Sequence, residues 1–237
     1  MGAVSDLVRF RHSDALWQQF PTLVPGVVYV EGVGPDAVVA ERVARYTAVA
    51  AERLAGGTES ELPEIQAWRR AFSRLGLKPT QYRCASESLL RRFRKEGALP
   101  AIHPLIDLCN AISLAFAIPV AVLDLGAIEG ALEVRHATGT ETYLTFAGTT
   151  EHPEPGEVIF ADEAGQAHAR RWTNRQSGRS AVRDTTRSVL IVAEALHDNA
   201  SDDVQRLVGE LAAGVAAAWS VGPKTALLHR TAPDFVI

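Results

Sequence analysis

Apolar residues recur at spacings of three and four through the first half of the chain and more often at two through the second, so helices are expected first and strands afterwards. Leu62, Ile65, Trp68 and Phe72 form one stripe on a helix over Pro63–Leu75 that Gly76 stops. Ahead of it, Ser13 opens a short helical stretch and Val27-Val28-Tyr29-Val30 is an apolar run expected to be a strand. Asp36 is placed to cap a helix that continues to about Leu54 and ends at Gly56-Gly57. Ser86 is placed to cap a further helix, with Leu89, Leu90 and Phe93 turned inward, Arg91, Arg92, Arg94 and Lys95 outward, and Gly97 as its stop. Leu105–Phe116 repeats the pattern, burying Leu105, Leu108, Cys109, Ile112 and Phe116. Asp107, Asn110 and Ser113 then fall along its polar edge.

From Pro119 onward the period shortens. Val120–Leu125 is expected as a strand; Leu132, Val134 and His136 alternate with Glu133 and Arg135; Thr142, Leu144 and Phe146 alternate with Tyr143 and Thr145. Val158–Phe160, Gln166–Trp172 and Ser188–Ala193 are further strands, the last a fully apolar run suited to burial on both faces. Asp202–Trp219 is an amphipathic helix, and Ala226-Leu227-Leu228 suits an edge strand. Helices, then strands, then a helix, with no internal repeat and no low-complexity linker, predict an α+β fold rather than a regular βαβ alternation.

Composition adds little to this outline, but charge does. Residues 69–96 carry nine Lys/Arg against Glu87 and Glu96, and residues 170–187 carry six Arg against Asp184. Between them, residues 136–169 hold six acids and no Lys or Arg. Local field rather than the net charge of −4 is what a phosphate backbone senses. Two basic blocks around an acidic one suit a nucleic acid held beside a pocket for a cation, or solvated faces that balance charge within the fold.

Several function classes find no support in the motifs. The sequence has no GxGxxG, GxxxxGK[ST], GxSxG or HExxH pattern, and its seven histidines are scattered singly, so no metal and no cofactor is expected. Cys84 and Cys109 fit no metal spacing and are read as small buried side chains. No apolar run reaches a membrane span of roughly 18 residues, and Met1–Asp6 shows no basic-then-apolar leader, so a cytoplasmic protein is expected.

Tyr82-Arg83, Leu89-Leu90-Arg91-Arg92, Leu99-Pro100-x-Ile102-x-Pro104-Leu105-x-Asp107, Asn110, Ile118-Pro119, Asp124-Leu125 and Ile128-Glu129-Gly130 follow one another in this order. After them come Glu154-x-Gly156-Glu157-Val158-Ile159-Phe160-Ala161-Asp162, Arg171-Trp172-Thr173-Asn174-Arg175-Gln176-Ser177 and the Thr185–Leu196 strand. The order resembles the B3/4 domain of the phenylalanyl-tRNA synthetase β subunit, more closely in its free-standing bacterial form. The resemblance covers roughly residues 80–197, about half of the chain. It implies one α+β domain over 1–237, a mixed β-sheet sandwich flanked by helices. Its core would span 80–197, with a helical extension over 1–79 and a C-terminal helix over 201–219.

The same resemblance implies a reaction, hydrolysis of the ester in a mischarged aminoacyl-tRNA, and a partner, the tRNA acceptor end. Non-protein amino acids such as the arginine analogue canavanine are the substrates it suggests, and the acidic segment would suit a cationic side chain. Two departures bear on mechanism: the editing-site histidine and glutamate of the synthetase correspond to Ala121 and Arg175, and its third editing segment has no counterpart. Ester hydrolysis needs a placed water, a group that stabilises the carbonyl oxygen, and exclusion of solvent; a general acid or base would add roughly 10²–10⁴-fold. Asn110, Gln176 and Ser177 are candidates to hold water or carbonyl, and Arg175 to stabilise an oxyanion or the terminal phosphate. Glu129 caps a turn or, with Asp162, recognises a cation. Asp124 is read as a cap, and Asp107 as a partner for Arg83 or Arg91. Trp172 belongs to the core or stacks on the terminal adenine. Arg83, Arg91, Arg92, Arg94 and Lys95 are candidate phosphate contacts. A non-catalytic tRNA-binding module and an amino-acid sensor are the alternatives; the sequence does not give the oligomeric state.

Overall fold

The apolar strand near residue 190 is the centre of the molecule. In the computed structural model, which describes residues 9–237, the chain opens with β1 (Arg9–His12), α1 (Asp14–Gln19) and β2 (Val24–Glu31). Four helices follow: α2 (Ala40–Ala55), α3 (Pro63–Arg74), α4 (Ala85–Glu96) and α5 (Pro104–Phe116). Next come β3 (Val120–Asp124), β4 (Leu132–His136), β5 (Tyr143–Leu144), β6 (Thr150–Glu151), β7 (Val158–Ala161), β8 (Ala167–Arg170), β9 (Arg175–Gln176) and β10 (Ser188–Ala195). The chain closes with α6 (Ala200–Trp219), β11 (Lys224–Leu227) and β12 (Asp234–Val236). The N-terminal segment read for a leader lies outside the described residues, and no helix among the described residues is long and apolar enough to cross a membrane.

This is the expected α+β architecture. One antiparallel sheet has the order β11-β2-β10-β3, and a second, mixed sheet the order β12-β1-β4-β7-β8-β9; β5 and β6 form a separate hairpin. β10 is buried on both faces. Val189, Ile191 and Ala193 pack in the cluster that holds Leu105, Ile112 and Leu211 of α5 and α6. Leu190 and Val192 face the other way, into the cluster with Trp68 of α3 and with Val134, Phe160 and Trp172 of the second sheet and its loops. Each such aliphatic side chain contributes roughly 1.5–3 kcal/mol by leaving water, which is why the strand reads as a continuous apolar run. α6 lies directly on β2 because residue 26 is glycine: a Cβ there would meet Val208 Cγ2 at 2.5 Å and Val204 Cγ1 at 2.6 Å.

Several local expectations are corrected. Asp36 lies in a turn and α2 starts only at Ala40, capped by no side chain. α4 begins two residues earlier than a Ser86 cap would set it, with Cys84 at the cap position and the Ala85 amide donating to Thr173 O at 2.7 Å; Ser86 is buried in the first turn, its Oγ 3.4 Å from Cys84 Sγ. Over 142–146 the faces are reversed: Tyr143 and Thr145 are buried and Phe146 is exposed. The polar tips decide this, since the Tyr143 hydroxyl donates to Gln176 O at 2.7 Å and Thr145 bonds Thr149 at 2.8 Å. The segment expected as a helical extension also supplies β1 and β2, one strand to each main sheet. β1, β6, β9 and β12 run for two to four residues, too short for an alternation to show.

The Glu141 carboxylate closes the turn after β4. It accepts from Arg135 Nη1 at 2.5 Å and from the amides of Thr138 and Gly139. Burial alone would raise its carboxyl, but Arg135 and these amides outweigh burial and hold it at about 2 against an ordinary 4.5. A depressed carboxyl stabilises the fold fully above its unfolded value, and that stability is lost as pH falls through the folded one. Glu141→Gln is therefore expected to remove part of the acid sensitivity between about pH 4.5 and 2, read by circular dichroism across a pH series. Unchanged acid sensitivity in the variant would count against the pairing.

Candidate active site

β3 pairs antiparallel with β10 so that Ala121 stands opposite Val192, and both side chains face the second sheet. Across from them the chain leaves β8 through a turn in which Arg171 (φ +47°) and Trp172 (φ +57°) both adopt the left-handed conformation. Non-glycine residues there carry strain of order 1 kcal/mol each, which the surrounding packing must offset. The turn drives the Trp172 indole inward, with no exposure, edge-on to Phe20 and Trp68 at 4.9 Å each. It then leads Thr173, Asn174, Arg175 and Gln176 along the rim of the hollow so enclosed.

This hollow has an empty volume of about 390 Å³ including its mouth, and the space within it that admits the centre of a water molecule is about 50 Å³. Phe160, Trp172 and Val192 make its walls apolar, and Ala121, Arg175, Gln176 and Glu194 also line it. The two positions at which the resemblance departs, Ala121 and Arg175, thus border one cavity. Gln176 Nε2 donates to Val122 O at 2.6 Å and ties β9 to β3. Arg175 lies over the Tyr143 ring at 5.4 Å and pairs with Glu151 at 3.2 Å.

Glu194 is the charged group inside. It is 2% exposed, and its Oε1 accepts from Trp172 Nε1 at 2.8 Å and bonds His12 Nε2 at 2.6 Å. Sequence reasoning missed both Glu194 and His12. One signal was available: Glu194 is the one charged residue in the otherwise apolar or small strand Ser188–Ala195, and a carboxylate in a buried strand demands partners. His12 stands 182 residues away in the chain and carried no signal.

The other candidate residues are dispersed. Asn110 lines a separate surface hollow with Val39 and Pro100, away from this cavity. Ser177 is fully buried; its hydroxyl donates to Leu144 O at 2.8 Å and accepts from the Arg179 amide, so it holds a turn and does not line the cavity. Asp162 accepts from the Glu129 and Gln166 amides and bonds His168 Nε2 at 3.1 Å, closing the turn between β7 and β8. Burial pushes the Asp162 carboxyl up, but His168 and these amides outweigh it and leave it lowered. Glu129 is exposed, 3.6 Å from Arg179, and lines no part of the cavity. Trp172 is a wall, not an open stacking platform. Asp107 accepts from the Ile102 amide at 2.9 Å, ahead of its own helix, rather than pairing with Arg83 or Arg91; Asp124 caps Gly126 as expected and also accepts from Thr186.

Charge is balanced inside the fold more than the sequence blocks suggest. Arg94 pairs with Glu59 at 2.7 Å, Arg91 stands 3.8 Å from the same carboxylate, Arg92 pairs with Glu96 at 2.9 Å, and Arg83 lies 3.4 Å from Glu87. In the acidic segment, Glu141 is held by Arg135, and Glu151 and Glu157 by Arg170. Among the described residues Glu64, His197 and Asp203 bring possible metal-ligand atoms within 4.8 Å of one another. Arg53 on Glu64 at 2.6 Å and Arg206 on Asp203 already supply cations there.

The B3/4 domain family matches over residues 67–209, more than half of the chain, and the chain belongs to that family. It is 33% identical over 76 residues to the phenylalanine–tRNA ligase β subunit of Cereibacter sphaeroides, and 35% identical over 79 residues to that of Bradyrhizobium diazoefficiens. These stretches cover 32% and 33% of this chain but only 9% and 10% of the relatives. The fold also resembles the crystal structure of an N-terminal fragment of the phenylalanyl-tRNA synthetase β subunit from Pyrococcus horikoshii. The TM-score is 0.52 at 11% identity, over 97% of this chain and 53% of that one.

Proposed function

We propose that the protein is a free-standing trans-editing deacylase that hydrolyses the ester of a mischarged aminoacyl-tRNA. The observation that carries this reading is the convergence of Ala121, Arg175, Gln176 and Glu194 on one partly enclosed cavity, in a chain of the B3/4 family. Apolar walls limit water, so a placed water and a stabilised carbonyl oxygen can act without competition from bulk solvent. Arg175 is the group at the rim with charge to stabilise an oxyanion or the terminal phosphate, and Gln176 supplies an amide beside it. With alanine at 121, positioning rather than a histidine base supplies the rate, and the activated ester and its neighbouring ribose hydroxyl permit that.

The test incubates the purified protein with a panel of mischarged tRNAs, canavanyl-tRNA for arginine among them, and follows ester loss. Hydrolysis above the buffer rate for at least one member is expected; none across the panel would sink the enzyme reading. Asn110→Ala should leave the rate within about twofold, since it lines another hollow.

On the RNA side, Lys95, Arg91 and Arg92 are the contacts we propose on α4; Arg94 is held more tightly, by Glu59 at 2.7 Å, and Arg83 lies ahead of the helix with its side chain only 27% exposed. Neutralising Lys95, Arg91 and Arg92 should flatten the salt dependence of tRNA binding by about one to two phosphate equivalents rather than three, because Glu59 and Glu96 already offset part of their charge. An amino-acid sensor is the second reading. The internal pairing of the α4 arginines favours it, and calorimetry showing amino-acid binding without tRNA affinity would select it.

A further inference from the structure

Glu194 is a carboxylate placed inside a cavity with its hydrogen bonds on one side only. Both of its side-chain partners, His12 Nε2 at 2.6 Å and Trp172 Nε1 at 2.8 Å, fall on Oε1. His12 Nδ1 is buried without a partner, so the arrangement that strands no N–H is the tautomer in which Nε2–H donates to Glu194. In that arrangement two neutral donors hold the carboxylate, and among the described residues no Lys or Arg stands within ion-pair distance of it. A buried carboxylate in apolar surroundings is costly until a positive group joins it.

Its place relative to the reacting ester follows from strand register. Ala121 opposes Val192, and Glu194 is the next residue of β10 on the same face, so Ala121 and Glu194 are diagonal neighbours with Cβ atoms roughly 7–8 Å apart or less. A glutamate side chain reaching inward spans much of that distance. The space that admits the centre of a water molecule is about 50 Å³, enough by the usual measure for only a few waters. A space of that size beside Glu194 fits the α-nitrogen, attached to the carbon next to the carbonyl, better than a long side chain, which the open mouth of the hollow accommodates instead.

We infer that Glu194 binds the α-ammonium group of the aminoacyl ester, with His12 and Trp172 as positioning residues that hold its other oxygen. This rests on the deacylase reading for its substrate, and it adds a requirement: an ester must carry a free α-amino group to be processed well. The site would thereby pass over acyl groups without that charge, such as α-hydroxy acids, whatever their side chain.

The test compares two esters on the wild-type protein. One is a mischarged aminoacyl-tRNA that the protein hydrolyses; the other is the same tRNA carrying the corresponding α-hydroxy acid, each corrected for its rate in buffer. The amino ester should be preferred by about 10–100-fold in kcat/KM, the usual worth of a hydrogen bond to a charged group, and Glu194→Gln should erase the preference. Equal corrected rates for the two esters in the wild type would overturn the inference. So would a preference that follows side-chain charge and ignores the α-amino group.

A binding arm separates this from failure of the deacylase reading. The Trp172 indole N–H resonance, identified by its loss in Trp172→Phe, is followed during titration with alanine methyl ester and with methyl lactate. A shift with the amine alone supports the ammonium site even if no tRNA ester is hydrolysed. No shift with either, or the same shift with both, overturns it. Because both substrate comparisons use the wild type, an unstable Glu194→Gln would not leave the question open.

Discussion

Trp172→Ala is expected to destabilise the fold by about 3–5 kcal/mol, the range for removing a large aromatic from a core. Trp172 has no exposure, and its ring meets Phe20 and Trp68 edge-on at 4.9 Å each, joining the turn after β8 to α1 and α3. Truncation empties that junction and also takes from Glu194 one of its two donors. Trp172→Phe separates the two effects: it keeps most of the packing and loses the N–H, and should cost about 1–3 kcal/mol through the under-bonded carboxylate. Urea unfolding followed by circular dichroism measures both. A loss below about 1 kcal/mol for the alanine variant would show that the junction collapses around the gap.

Breaking the Glu157–Arg170 pair should be as damaging. Arg170 Nε and Nη2 reach the two Glu157 oxygens at 2.9 and 2.8 Å, and the two side chains are 5% and 6% exposed. Glu157→Leu leaves the buried guanidinium with the half-buried Glu151 as its one remaining carboxylate among the described residues, and removes the acceptor for the Arg171 amide. The expected loss is about 3–5 kcal/mol, and the double variant Glu157→Leu, Arg170→Met should recover much of it. A single variant as stable as the wild type would refute the argument. The pH dependence has a definite sign. Burial would raise the Glu157 carboxyl, but Arg170 outweighs it and holds it below its ordinary value. The pair therefore stabilises fully above the ordinary carboxylate range and weakens as pH falls below it.

How far the sequence could be read depended on how local each interaction was. β10 was legible because alternation is unnecessary in a strand buried on both faces, and its apolar run said so. The outward direction of Arg91, Arg92, Arg94 and Lys95 was legible from helical period. Their neutralisation was not, because Glu59 reaches Arg94 from 35 positions upstream. Ala121 and Arg175 were singled out by resemblance, and they do border one cavity. Asn110 and Ser177 lie in the resembling segments and have the right chemistry, but their surroundings place them elsewhere. The apolar run was read as ending at Ala193, one residue before the carboxylate that completes the cavity.

The order of the central sheet bears on how the protein can be cut. The family match spans residues 67–209, yet β2, which pairs with β10 along all eight of its residues from Ser188 to Ala195, lies at Val24–Glu31. A fragment trimmed to the matched span would lose that strand, along with His12. It would present β10 as a long, nearly uncharged apolar edge with a full row of open amides and carbonyls. Such an edge recruits further copies of itself, so the trimmed fragment should precipitate as β-rich aggregate where the longer chain stays in solution.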